Sequence, residues 1–307
     1  MNYLFSRDIH DWPSWGKIFQ SIEAFTPLIR HIFQKENLSC EKIENCTPGT
    51  NAVFKAGNYI VKIFAPAESG MDTDSDYNTE RFGLERANKL GISAPKLFAS
   101  GDVPDKYLFR YMIMAHIDGV SFGKMEKSLT YDEKLVIGQK LRAITDKMNT
   151  PCKCFNQVDV RKRSIRNERW LDFPVRFNRE RVAYLEKLRM DKSDKVYVHG
   201  DLNPDNVLID ANGELYLIDF ADAVRAPVCY EQSVVACELF CLEKPYMLGY
   251  FGDYEVEDMA ELCGNGLLIH DFGGDILRHS IGPADEIASL GIMQERLYRI
   301  IKTEKER

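Results

Sequence analysis

The sequence predicts an α+β protein in two parts: a small, five-stranded antiparallel lobe with one main helix, then a larger and mostly helical lobe. Three observations predict it. Apolar residues follow a period of two in "EKIENCT", "NAVFKAGNYIVKIF" and "KLFASGDVPDKYLFRYMIM", with turn signals between the runs. A helical period of three to four takes over from about residue 130 to the end. Only three short runs in that second part, "KVYVH", "NVLID" and "LYLID", read as strands. The boundary is expected between 1–115 and 116–307, and the connector "AHIDG" is too poor in Gly and Ser to be a loose tether.

Taken in order, Pro13 and Ser14 open a helical pattern through Ile18, Ile22 and Phe25, and Thr26-Pro27 restarts it through Leu28, Ile29, Ile32 and Phe33. Two short helices, or one kinked helix, are expected as an N-terminal extension over 14–37. From Glu41 the run "EKIENCT" followed by "NAVFKAGNYIVKIF", with Gly57-Asn58 as a turn, predicts a three-strand meander. The acidic stretch "ESGMDTDSDYN" is expected to be a loop before a helix from about Thr79 to Leu90, ended by Gly91. "KLFASGDVPDKYLFRYMIM" then reads as a hairpin turning at "DVPD". In the second part, Thr130 and Glu133 make a capping box ahead of a helix with Ile137, Leu141, Ile144 and Met148 on one face. A further helix is expected through "VRFNRERVAYLEKLR", and several more from Glu231 onward.

Composition narrows the function classes. With 307 residues, 45% hydrophobic and 28% charged, the chain can bury a substantial core. No apolar run approaches the ~18–20 residues that cross a bilayer, and "MNYLFSRDIHDWPSW" has charge and proline where a signal peptide would be apolar. A cytoplasmic protein without membrane partners is expected. A formal charge of −7 argues against nucleic acid as a partner. The basic run Arg161 to Arg169 goes against that trend and reads as a solvated helix face. The eight cysteines include Cys152 and Cys154 as C-x-C and no paired C-x-x-C knuckles, so reduced thiols are expected.

Chemistry concentrates in "HGDLNPDNVLIDANGELYLIDFADA", residues 199–223. Asn212-Gly213 joins "NVLID" to "ELYLID" as a hairpin. Asp201 then precedes the first strand and Asp219 follows the second, so both carboxylates and the Asn206 amide can meet at one end. Two carboxylates and an amide oxygen suit Mg²⁺, which takes a few carboxylates plus substrate phosphates. Two acids could instead hydrolyse a glycosidic bond, and capping or turn-making is open to any Asp or Asn.

These residues resemble the kinase-like phosphotransferases, and more closely the aminoglycoside phosphotransferase family with its choline and ketosamine kinase relatives. Protein kinases carry H-R-D-L-x-x-x-N and then D-F-G; here the loop is "HGDLNPDN" and the later motif "IDFADA". The likeness extends to "TPGTNAVFKAGNYIVKIF", similar to the family's nucleotide-covering hairpin and lysine strand, and to "NTERFGLERANKLGISAPKLF", similar to its helix with the lysine's acidic partner. "YMIMAHIDGVSF" looks like the linker that holds adenine. The resemblance covers roughly residues 41–120 and 195–235.

What it implies is a protein-kinase-like fold and a kinase using ATP (or GTP) and Mg²⁺. Lys62 would neutralise phosphate oxygens with Glu80 fixing its ammonium, and Glu85 is the fallback partner. Gly49, Thr50 and Asn51 would cover the phosphates, and Ala115 and Ile117 would offer backbone groups to adenine. Asp201 would be the catalytic base, Asn206 and Asp219 the metal ligands, and His199 a loop-shaping residue. Asp205 and Asp222 read as outer or substrate-facing acids, or as surface.

The sequence departs from the family where an aspartate normally braces the catalytic loop, since "VCYEQSV" supplies Glu231. The frequent Leu-His pair of the first large-lobe helix is also missing from "LRAITDKMNTPC". The expected acceptor is a hydroxyl on an amine-bearing small molecule, an aminoglycoside or similar amino sugar, with choline, ethanolamine or a ketosamine as rivals. A nucleotide-binding module without turnover is the alternative from another class. Asp253, Glu255, Glu257, Asp258 and Glu261 could form an acidic wall for such an amine, or a solvated helix start. Trp170, Tyr230, Tyr246 and Tyr250 could stack on the acceptor or belong to the core.

Overall fold

In a computed structural model, residues 3–47, 49–125, 128–190 and 194–307 are described. The chain divides into two compact units, Met1–Asp118 and Gly119–Arg307. The fold is α+β and of the protein-kinase-like kind.

The first unit is built on one antiparallel sheet, β1 Ile43–Asn45, β2 Ala52–Ala56, β3 Tyr59–Ile63, β4 Leu97–Pro104 and β5 Leu108–Ala115, in the order β1-β2-β3-β5-β4. Period two sets what each face meets. Phe54, Val61, Ile63, Phe109 and Tyr111 share a core with Phe25, Leu28, Ile29, Ile32 and Phe33 of α2 (Ile22–Lys35). Lys62, between Val61 and Ile63, therefore projects from the opposite face. There it meets α3, Thr73–Leu90.

The N-terminal extension breaks elsewhere than Thr26-Pro27. The short helix α1, Trp12–Gly16, is closed by an Asp11–Ser14 capping box, and Ser21 caps α2, so Pro27 lies inside a helix. Its six fully apolar buried neighbours outweigh the one amide hydrogen it lacks. Helix α3 starts six residues before the expected Thr79. The "acidic loop" supplies its N-cap, Asp72, and places Asp74 and Asp76 in a first turn where the helix dipole favours negative charge. The β4–β5 turn falls at residues 105–107 rather than at "DVPD", because Pro104 lies on an edge strand and still pairs with Leu108.

In the second unit the expected strands appear as β7 Val196–Val198, β8 Val207–Asp210 and β9 Leu215–Leu217. Two more, β6 Gly119–Ser121 and β10 Val224–Ala226, were not expected; each has three residues, too few for an alternation to register, and each exists by pairing, β6 with β8 and β10 with β7. The β8–β9 hairpin turns at Gly213, whose φ of +73° is what an Asn-Gly turn requires.

Helices α4 Phe122–Met125, α5 Tyr131–Met148, α6 Val160–Ile165, α7 Val175–Lys187, α8 Cys229–Val234, α9 Lys244–Phe251, α10 Val256–Ile269, α11 Gly273–Ile281 and α12 Leu290–Glu306 make up the rest, and a π-helical turn at Val235–Leu239 extends α8. The α5 capping box of Thr130 and Glu133 is present. No helix among the described residues is long and apolar enough to cross a membrane. Trp170, Tyr230, Tyr246 and Tyr250 are all buried, each at 2% exposure or less, so they are core and not a stacking surface. In the basic run, Arg163 and Arg169 pair with Asp271 and Asp275.

Helices α5 and α9 approach through two glycines. A Cβ on Gly138 or on Gly249 would collide with the backbone of the other helix, at the Tyr246 and Leu135 carbonyl oxygens respectively. Gly249→Ala is expected to lower stability by about 1–3 kcal/mol or more, through overpacking against backbone that has no rotamer to adjust. Gly16→Ala, where a Cβ meets nothing within 4 Å, serves as the control in the same urea titration. Equal midpoints for the two variants would refute this account of the crossing.

Candidate functional site

The first unit brings Lys62 and Glu80 together. Nζ lies 2.6 Å from the Glu80 carboxylate, and both residues are buried, at 7% and 2% exposure. The Phe64 ring lies 5.4 Å from the ammonium. Glu85, on the same helix, is exposed. A charge pair this dry is expensive to form and more so to break from one side.

Gly49 and Thr50 are exposed at the β1–β2 tip. Asn51 is not: it is buried, and its Oδ1 accepts the Ala65 N–H at 3.2 Å, so its amide serves the sheet instead of the open tip expected for it. The Ala115 N–H donates to the Lys96 carbonyl, 2.9 Å, and Ile117 follows just beyond the end of β5.

In the second unit the run 199–206 forms a loop between β7 and β8 that is held by a network of hydrogen bonds. His199 Nδ1 accepts the Asp201 N–H at 3.3 Å, which leaves Nε2–H to donate to the Ile218 carbonyl at 3.0 Å. Burial drives its pKa down to about 4, so it is neutral, with the Asp219 charge opposing that shift. A neutral, fully buried imidazole with both nitrogens engaged shapes the loop.

Asp201 is held by two amides. Asn203 Nδ2 donates to its Oδ2 at 3.0 Å, and Asn206 Nδ2 donates to the same oxygen at 2.8 Å and to the Asp201 carbonyl at 2.9 Å. Asn203 is itself fixed by accepting the Asp205 and Asn206 N–H groups on Oδ1. Burial raises the Asp201 pKa to about 7, helped by the charges of Asp222 and Asp219 and opposed by the two amides.

Because Asn206 gives its nitrogen to Asp201, its oxygen is the atom left for a cation. Asp219 follows β9 with φ +61°, a left-handed conformation that costs a non-glycine residue free energy and is commonest at functional positions. An amide oxygen and a carboxylate are the hard donors that Mg²⁺ takes. Among the described residues no group of three or more His, Cys, Asp or Glu side chains could hold a metal ion by itself.

Glu231 braces the loop from α8. One carboxylate oxygen accepts both the His199 and Gly200 N–H groups, the latter at 3.1 Å, and the other accepts from Asn149 Nδ2 at 2.7 Å. Sequence reasoning missed His270, whose Nε2–H donates to the Gly200 carbonyl at 3.1 Å while Nδ1 accepts the Phe272 N–H. It also left Asn203 and Asn149 without a role; a search for amides two residues from Asp201 would have flagged the first.

The acidic segment lies elsewhere. Asp253, Tyr254, Glu255 and Asp258 line a cavity of about 310 Å³ at the N-terminal end of α10, and Asp253 pairs with Lys305 at 3.0 Å. His270, which touches Gly200, caps the other end of this 14-residue helix, roughly 20 Å away along its axis.

A kinase-like fold with a lysine–glutamate pair and an Asp–Asn–Asp loop defines the class, and comparison with known proteins places the chain within it. The sequence profile of the phosphotransferase enzyme family, APH, matches residues 50–264. The chain belongs to that family and is a small-molecule phosphotransferase. No curated protein sequence matches it. Among solved structures it is similar to the choline kinase LicA from Streptococcus pneumoniae, with 16% identity, a TM-score of 0.55 and coverage of 90% of this chain and 99% of the other. It is likewise similar to the streptomycin–ATP–APH(2″)-IIa ternary complex, with 13% identity, a TM-score of 0.56 and coverage of 87% and 97%. A third is the GDP complex of wild-type aminoglycoside 2′-phosphotransferase-IIIa, with 15% identity, a TM-score of 0.57 and coverage of 94% and 99%.

Glu231 yields a pH prediction. Burial raises its pKa to about 7, opposed by the three N–H groups it accepts. The folded protein then binds a proton that the unfolded chain, with an ordinary glutamate pKa near 4.5, has released. Stability should therefore fall as pH rises from about 4.5 to 7, by at most about 1.4 kcal/mol per pH unit. In Glu231→Gln that component is absent, so the stability difference between wild type and variant should shift toward the variant over this window. A pH-independent difference in urea titrations would count against a raised Glu231.

Proposed function

We propose that the chain transfers the γ-phosphoryl group of ATP, or GTP, to a hydroxyl of a small amine-bearing molecule, an aminoglycoside or similar amino sugar in the first place. The observation that carries this reading is the orientation of Asn206. Its amide nitrogen holds Asp201 and its oxygen remains for a cation, so one residue links a base to a metal position.

In this reading Asp201 accepts the proton of the acceptor hydroxyl while that oxygen bonds to the γ-phosphorus and the bond to the β-phosphate oxygen breaks, releasing the nucleoside diphosphate. A carboxylate raised to about 7 by burial is a competent base near neutral pH, and Asn203 and Asn206 keep it aimed. Lys62, its ammonium fixed by Glu80, would neutralise phosphate oxygens. Asn206 and Asp219 would hold Mg²⁺, which when bound would neutralise charge on the transferring group. Gly49 and Thr50 would cover the phosphates, and the backbone at Ala115 and Ile117 would meet the base. Solved relatives that hold ATP or GDP support the nucleotide.

In this reading an amine on the acceptor would be met by Asp222, whose charge acts on Asp201. Asp253, Glu255, Glu257 and Asp258 of the acidic segment give it no support, since they lie at the start of α10, opposite the end where His270 meets Gly200. Choline, ethanolamine or a ketosamine remains the rival acceptor, because the relatives include a choline kinase as well as aminoglycoside enzymes.

Wild type should phosphorylate at least one member of a panel of amino sugars, amino alcohols and ketosamines with ATP and Mg²⁺, and Asp201→Ala should lower kcat about 10²–10⁴-fold. Nucleotide binding with no turnover above the variant on any acceptor would favour a binding module instead. The division of roles is tested separately: Asp219→Asn should weaken Mg²⁺-dependent nucleotide binding far more than Asp201→Asn, read by calorimetry with and without the metal. Equal losses would undo the assignment.

A further inference from the structure

The N-terminal extension ends in a contact that no catalytic role accounts for. Trp15 of α1 is completely buried, seated edge-on to Phe25 at 5.9 Å between ring centroids and stacked on Phe19 at 6.2 Å. Its indole Nε1–H donates to the Thr50 carbonyl at 3.0 Å. The two partners have unequal need of this bond. Thr50 is exposed, so water could serve its carbonyl, whereas a buried indole N–H without a partner loses its full desolvation cost. The indole therefore draws the tip onto α1.

The neighbouring residue is held from the other side. Asn51 accepts the Ala65 N–H, and the Ala65 carbonyl accepts the hydroxyl of Thr73, the first residue of the helix that carries Glu80. Gly49 stands free, with nothing within 4 Å of where a Cβ would lie. The place of the tip is thus set by Trp15 and Asn51, and its register is tied to the helix that aligns Lys62.

We propose that Trp15 is a positioning residue for nucleotide phosphates: by fixing the Thr50 carbonyl it presents the backbone of Gly49 and Thr50 to the phosphate groups, and it makes the N-terminal extension part of the nucleotide site. This rests on the phosphoryl-transfer reading above. It adds that α1 and α2, outside both the family profile's span and the motifs, determine affinity for the triphosphate end of the nucleotide and not for its base.

The test compares Trp15→Phe with wild type as full-length proteins, by calorimetry with AMP-PNP–Mg²⁺ and with adenosine, or the guanine counterparts if wild type prefers them. Losing one neutral hydrogen bond should weaken AMP-PNP–Mg²⁺ about fivefold and leave the nucleoside unchanged. Hydrogen exchange should quicken in peptides covering residues 49–52 and stay constant in α2. Should Phe disturb packing, replacing the Trp15 indole by benzothiophene removes the N–H and keeps the shape. Equal loss for nucleotide and nucleoside, or no loss alongside a loosened tip, overturns the proposal. A wild type that binds neither probe overturns the phosphoryl-transfer reading and this proposal with it.

Discussion

Gly200 is the point on which the 199–206 loop depends. Its N–H donates to Glu231, its carbonyl accepts from His270, and its Cα lies so close to the Asp222 carbonyl that a Cβ would collide with it. Its φ of +86° is one that side chains resist. Three stretches of chain, the loop, the segment after β9 and the C-terminal end of α10, can meet only at a residue with no side chain. The glycine that replaces the arginine of H-R-D is thus a packing requirement here: any larger residue would push Asp222 away from Asp201, or turn the loop and with it the carboxylate.

Two histidines stabilise this arrangement by the same means. In each, Nδ1 accepts the N–H two residues on and Nε2–H reaches a distant carbonyl, Ile218 for His199 and Gly200 for His270. Burial keeps both neutral, with pKa values pushed down to about 4 and about 3. A neutral imidazole serves as a rigid bridge between backbone groups that have no regular secondary structure to satisfy them. The loop can then leave the sheet geometry, present Asp201 at an irregular position, and still carry no unsatisfied N–H at Asp201 or Phe272.

The parts of this design that are local in sequence were legible. Asn212-Gly213 marks the β8–β9 hairpin, the alternation around Lys62 marks the face of that lysine, and the spacing of Asp201, Asn206 and Asp219 puts the first before and the last after the β8–β9 hairpin, at one end of it. What could not be read has partners far away along the chain. His270 meets a residue 70 positions distant, and Glu231 one 31 positions distant. Strands β6 and β10 exist only through pairing. Asn51 sits where a tip residue would be exposed, but its amide is called inward by Ala65. The start of α3 is hidden in the sequence because a run of acidic residues suits a loop as well as a helix N-terminus, where the dipole favours them.

Helix α10 connects the loop to the acidic segment. At its start, Glu257 and Asp258 sit in the first turn, where the helix dipole stabilises them, and Lys305 of α12 fastens the preceding loop through Asp253. At its end, His270 holds Gly200. The acidic residues of that first turn therefore stabilise the start of the helix whose other end, roughly 20 Å away along the axis, holds the 199–206 loop through His270. Asp222 is placed beside the loop by its backbone carbonyl against Gly200, and its charge acts on Asp201.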